Sequence, residues 1–72
     1  MSPNQLRNMM LALAQRAECL AQLRVYRVKL EIAINNHDDI RIAHYQSMIR
    51  INSTQLENIY ELLTGVEEWD SQ

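Results

Sequence analysis

Residues 34–46 read INNHDDIRIAHYQ. The stretch holds both histidines of the chain, His37 and His44, with Asp38, Asp39 and Tyr45 among them. That composition suits a metal or catalytic cluster, and it equally suits a turn, because Asn and Asp tolerate turn conformations and cap helices. The sequence on either side separates the two readings.

Upstream, an apolar stripe runs Leu6, Met9, Leu13, Arg16, Leu20, Leu23, Arg27, Leu30, Ile34, in alternating steps of three and four. This spacing is a heptad seam on one face of a long helix. Downstream, the same alternation gives Ile42, Tyr45, Ile49, Asn52, Leu56, Ile59, Leu63, Val66. The two seams are mirror images. Leu6 with Val66, Met9 with Leu63, Leu13 with Ile59, Leu20 with Asn52, Leu23 with Ile49 and Leu30 with Ile42 all have numbers summing to 72. Such pairing is the arithmetic of an antiparallel hairpin folded about residue 36.

The sequence therefore predicts an all-α fold, a single coiled-coil-like hairpin. Its first helix covers about residues 3–34, its turn 35–39, its second helix about 39–64, and a tail 65–72. Ser2, Pro3 and Gln5 form a helix start with a capping box, and Gly65 is the expected stop. Only Pro3 and Gly65 could interrupt a helix. Residues 1–34 carry five basic and two acidic groups and residues 35–72 two basic and seven acidic, so the halves should attract. In the mirror register Arg7 meets Glu67, Arg16 meets Glu57, Glu31 meets Arg41, and Arg27 lies over Tyr45.

At 72 residues the chain allows one small domain, and a core of that size usually needs a disulfide, a metal, an oligomer or a partner. The single cysteine, Cys19, excludes an internal disulfide and any zinc-finger spacing, which fits a reducing compartment. Cys19 is expected to pack as a small apolar residue. The polar opening MSPNQLR and the lack of a run of eighteen apolar residues point to a soluble protein without a cleaved leader or a membrane partner.

Chemistry finds little purchase. His37 and His44 are seven apart, roughly 10 Å along a helix, too far to share one metal at about 2 Å. No phosphate loop, HExxH or supported Cys/His pair is present, and a two-helix rod encloses no water-free pocket. The expectation is no enzyme, no cofactor and no metal. Arg16, Arg24, Arg27 and Lys29 form the only basic cluster. They leave open an alternative, a small dimeric regulator gripping nucleic acid through Arg24, Arg27 and Lys29, but seven acids on the second half and a pI near 5.5 oppose it.

More informative is the apolar surface left after the seam is assigned. On the first helix it comprises Met10, Val25, Val28 and Ile32, and on the second Ile40, Met48, Ile51, Tyr60 and Leu62. Val25, Val28, Ile32, Ile40, Met48, Ile51, Tyr60 and Leu62 are the candidate partner-binding residues, because a hairpin has no further layer to cover them. The occupant is either a second copy, giving a four-helix bundle, or a different helical protein. Alanines 12, 14, 17 and 21 would let a neighbouring helix approach closely, or are simply good helix formers. Trp69 in the acidic tail is either an exposed partner anchor or packs back on the N-terminal end of the rod.

With its polar turn Asn36 to Asp39, Tyr45-Gln46 near the start of the second helix, and Ile59, Tyr60, Leu62 and Leu63 near its end, the chain resembles the small co-chaperones of type III secretion needle subunits. The resemblance covers nearly the whole chain as a pattern. It implies a bacterial cytoplasmic protein in a ternary complex with a tetratricopeptide-like chaperone and the needle subunit. Independently of the resemblance, the surplus apolar face predicts that the chain alone self-associates as a homodimer through that same face.

Overall fold

The structure, a computed structural model, describes the backbone of residues 2–70 and the side chains of residues 2–64. Two helices, α1 (Pro3–Asn35) and α2 (Asp39–Asp70), pack against each other as an antiparallel hairpin. The rod measures 54 × 14 × 12 Å between Cα extremes, with a radius of gyration of 16.3 Å. A globular chain of this length would have a radius near 11 Å. There is thus one seam and no enclosed interior.

α1 starts as its sequence dictates. Ser2 Oγ accepts the Gln5 N–H at 3.2 Å while Gln5 Oε1 accepts the Ser2 N–H at 2.8 Å, with Pro3 in the first turn. Two of the amides that a helix start leaves unpaired are thereby satisfied.

The turn is a reciprocal cap made by consecutive residues. The Asp38 N–H donates to Ala33 O at 3.0 Å and the His37 N–H to Ile34 O at 3.1 Å, which is the Schellman pattern that closes a helix. It requires a left-handed residue after the cap, and His37 supplies it at φ 55°. Glycine usually fills that position because a Cβ there costs roughly 1–2 kcal/mol. Asp38 then opens α2: its Oδ1 accepts the Arg41 N–H at 3.2 Å and its carbonyl accepts the Ile42 N–H at 2.9 Å.

α2 does not stop at Gly65 but continues to Asp70. One glycine within a helix costs about 1 kcal/mol and ends it only when the backbone turns left-handed there, and no proline follows to force the break. The side chains of residues 65–70 lie outside the described ones, and with them the expected roles of Val66, Glu67 and Trp69.

The seam confirms the hairpin and corrects its first half. On the α2 side the buried and half-buried residues include Ile42, Tyr45, Ile49, Asn52, Leu56, Ile59 and Leu63, as the spacing predicts. On α1 the covered residues are Gln5, Met9, Ala12, Arg16, Cys19, Leu23, Tyr26, Leu30 and Ala33. Met9, Arg16, Leu23 and Leu30 were expected. Leu6, Leu13, Leu20, Arg27 and Ile34 are exposed instead, each replaced by the residue one place earlier. Tyr26 rather than Arg27 faces Tyr45, their ring centroids 6.1 Å apart. Their numbers sum to 71, so the fold axis stays where the mirror arithmetic puts it and only the rotation of α1 differs.

The physical reason is the size and polarity of the competing sets. Ala12 and Cys19 are small and almost fully covered in one cluster with Ile59, against which Leu56 and Leu63 pack, and Ala33 is equally covered near the turn, so small residues line this side of the seam. The alternative rotation would carry Arg27 into the seam as a second guanidinium besides Arg16, which is half-buried there. Asn52 is 2% exposed, and its Nδ2 donates to Met48 O in the preceding turn at 2.8 Å, which meets the requirement that a buried amide be paired.

The expected charge pairs do not define the register. Among the described residues the one ion pair is Arg41 with Asp38 at 3.4 Å, three residues apart and largely exposed. Glu31–Arg41 and Arg16–Glu57 are not formed, and Arg7–Glu67 involves a side chain outside the described ones. Exposed pairs contribute roughly 0–1 kcal/mol, too little to hold long side chains in place across the seam.

Candidate interaction surfaces

The seam covers few side chains. Among the described residues only Ala12, Cys19, Leu23, Ala33, Ile59 and Asn52 are buried. The chain exposes 5607 Å², whereas a compact monomer of its 8.5 kDa mass would expose about 4,700 Å². The surplus, about 900 Å², follows from the elongated shape, which leaves most side chains at the surface.

Where that surface lies follows from the heptad positions, since in an antiparallel pair the residues flanking the seam on one side of α1 adjoin those on the same side of α2. On the first flank Leu6, Leu13 and Leu20 follow one another at seven-residue steps, and Tyr60 of α2 borders them. All four are exposed, at 46%, 38%, 40% and 45%. This flank also carries charge, with Glu57 and Arg50 exposed on α2 and, past Leu20, Arg24, Arg27 and Glu31 on α1. The second flank has Asn8, Gln15, Gln22 and Lys29 next to the seam on α1, and its apolar residues stand farther out.

The residues expected to bind a partner do not form one surface. Val25, Ile32, Met48, Ile51 and Leu62 belong to the second flank, Val28 and Ile40 point away from the seam, and Tyr60 belongs to the first flank. All are exposed except Met48, which is half-buried, and Ile40 is the barest at 84%. The strip on α1 carries shallow indentations. Val25 and Val28 share a shallow hollow of 350 Å³ with Arg24 and Lys29. Val25 also borders a second hollow, of 210 Å³, with Ala21, Gln22 and Tyr26. Ile32 lines a smaller cleft, 70 Å³, at the turn between Lys29 and Tyr45. Lys29 borders all three hollows, making the strip continuous from Ala21 to Ala33. None of the candidate residues on α2 lines them.

The leucine flank was assigned to the seam by spacing alone. A signal for its exposure does exist in the sequence: Ala12, Cys19, Tyr26 and Ala33 share the same seven-residue step one place earlier, and that set contains no charge.

In the stretch from Asn35 to Asp39 the Asp38 carboxylate and the backbone N–H groups of Asn36, His37 and Asp38 are occupied with capping, and among the described residues no three His, Cys, Asp or Glu side chains converge as metal ligands. Arg24, Arg27 and Lys29 are all exposed on α1, interleaved with the apolar strip. No helix among the described residues is long and apolar enough to cross a membrane. The chain matches no protein-family model, no curated protein and no solved structure.

Proposed function

We propose that this chain is a co-chaperone of a bacterial type III secretion system, working in the cytoplasm without chemistry of its own. In this reading it packs on a tetratricopeptide-like chaperone and stabilises it while that chaperone holds the needle subunit before secretion. The observation that carries the reading is the hollowed apolar strip of α1 at Val25, Val28 and Ile32, rimmed by Arg24 and Lys29 and left bare by a hairpin whose own seam is complete. A chaperone's helical groove that offers apolar side chains edged by carboxylates would complement it. Mutual burial would stabilise both proteins, each of which binds only the other's folded form. The resemblance in the turn, in Tyr45-Gln46 and in the end of α2 supports the same conclusion.

The test is co-expression with the tetratricopeptide-like chaperone and needle subunit of the same secretion system. The wild-type chain should co-purify as a three-protein complex, and the double substitution Val28→Glu, Ile32→Glu should abolish it while leaving helicity intact. Both side chains are more than half exposed, at 58% and 55%, so the hairpin should tolerate the change. Unchanged co-purification of the double variant would remove this strip as the contact, and a wild-type chain that recovers neither protein would end the reading.

A further inference from the structure

The cleft at the turn sets two cations against each other. Lys29 of α1 and Arg41 of α2 both line it, together with Asn36, Asp38, Tyr45 and buried Ala33. Lys29 and Arg41 flank the seam on the same side, and their numbers sum to 70, as do those of Gln22 with Met48 and Gln15 with Gln55. Each of these pairs therefore stands level across the two helices. Coiled coils place opposite charges at such flanking positions. Here the pairs farther along are uncharged, and the one ionised pair is cation against cation. Asp38 offsets part of that charge, since its carboxylate lies 3.4 Å from Arg41 while it caps the Arg41 N–H. Among the described residues this is the only ion pair, so Lys29 has no carboxylate of its own there.

We propose that the cleft is a binding site for one anionic group, and that a protein partner fills it with the carboxylate of an acidic side chain. At 70 Å³ the cleft admits a group of a few atoms and not a helix. An anion seated in it is shared by Lys29 and Arg41 and relieves their repulsion. A free ion gains little from these two cations, because both stay in water, Arg41 at 69% exposed. A carboxylate carried on a partner is in a different position. Ile32 lines the cleft and Lys29 joins it to the hollows at Val25 and Val28, so apolar contact along the strip holds the acid at high local concentration beside the two cations. The inference rests on the chaperone reading for the identity of that partner. It adds a fixed point to the contact, an acidic residue of the chaperone placed at the turn end of the strip.

Urea unfolding of the isolated chain tests the cleft itself. Lys29→Glu supplies the carboxylate from within the hairpin, so the midpoint should rise from the wild type through Lys29→Gln to Lys29→Glu, three residues of nearly equal helix propensity. In an Arg41→Gln background the gain should vanish. No gain for Lys29→Glu, or the same gain in both backgrounds, overturns the site. The chemistry of the occupant is read by NMR titration of the Arg41 side-chain N–H with acetate and with inorganic phosphate at one ionic strength. Both anions should shift the wild-type signal and neither should shift that of Lys29→Glu, whereas a response to phosphate alone overturns a carboxylate as the occupant. In the co-expression described above, Lys29→Glu should lower recovery of the chaperone about 10-fold or more, although the hairpin itself is the more stable. Undiminished recovery overturns the acidic contact. A wild-type chain that recovers neither protein ends the chaperone reading instead, and the urea series and the titration still decide the cleft.

Discussion

His37 is the residue on which the hairpin's turn can be tested most sharply. It sits at φ 55° in the left-handed position after α1, where the Cβ that a histidine carries costs roughly 1–2 kcal/mol. Replacing it by glycine removes that cost and adds roughly 0.5–1 kcal/mol of unfolded-chain entropy to be lost on folding. The bonds at 3.0 and 3.1 Å that close the turn are made by backbone groups and survive the change. The net expectation for His37→Gly is a stabilisation of about 0.5–1 kcal/mol, which in a domain of this size raises the melting temperature by about 2–8 °C. Thermal and urea unfolding followed by circular dichroism measure it, at one protein concentration, because self-association would make the midpoint concentration-dependent. His37→Ala is the control: it deletes the imidazole and keeps the Cβ, so its midpoint should stay near that of the wild type. A glycine variant no more stable than the wild type would refute the left-handed turn. A large loss in both variants would mean that the imidazole holds something the capping geometry does not include.

Two further substitutions examine the neighbouring links. Asp38→Ala removes the oxygen that accepts the Arg41 amide and should cost about 0.5–2 kcal/mol in urea unfolding, whereas Asp38→Asn keeps an acceptor there and should recover most of it. If the asparagine variant lost as much as the alanine one, the exposed Arg41 ion pair rather than the cap would be what matters. Ala12→Leu crowds the tight side of the seam against Ile59 and should destabilise the hairpin by about 1–3 kcal/mol, and a neutral result would return the seam to the rotation that buries Leu13.

The sequence carried the fold and misassigned half of one helix face, for a specific reason. Met9, Arg16, Leu23 and Leu30 alternate equally well with Leu6, Leu13, Leu20, Arg27 and Ile34 or with Gln5, Ala12, Cys19, Tyr26 and Ala33. Both sets step by three and four, and both mirror α2, with sums of 72 or 71. Hydrophobicity favours the first set because leucine outranks alanine. What decides for the second is close approach, which small residues permit and which a single-chain hydrophobic pattern does not encode. The α2 seam was legible because its neighbours at Gln46, Ser53 and Gln55 are polar and offer no rival stripe. The turn was legible from composition, although which residue would take the left-handed position was not, since Asn35 and Asn36 suit it better than His37. The candidate surface was legible as a surplus of apolar residues but not as separate faces, because sorting it into flanks requires the rotation of α1 to be known first.

That rotation, about 50° between the two candidate seams in a 3.5-residue geometry, links stability to assembly. Turning α1 the other way would cover Leu6, Leu13 and Leu20 within the hairpin but would place Arg27 next to Tyr45, as a second guanidinium in the seam besides half-buried Arg16. The leucines lose only part of their burial by staying out. Each is already more than half covered, at 38–46% exposed, and full burial of such a side chain contributes about 1.5–3 kcal/mol. The uncovered share therefore amounts to roughly 1 kcal/mol apiece. A lone hairpin thus reaches its best arrangement by expelling Arg27 and Ile34 together with the leucines, and it keeps an unsatisfied apolar flank as the consequence. Replacing Arg27 by leucine removes one term that disfavours the other rotation, so the double variant Arg27→Leu, Cys19→Leu should turn α1 toward the leucine seam and protect a Leu13→Cys thiol from maleimide labelling, while retained labelling would show that close packing at Ala12 and Ala33 sets the rotation alone.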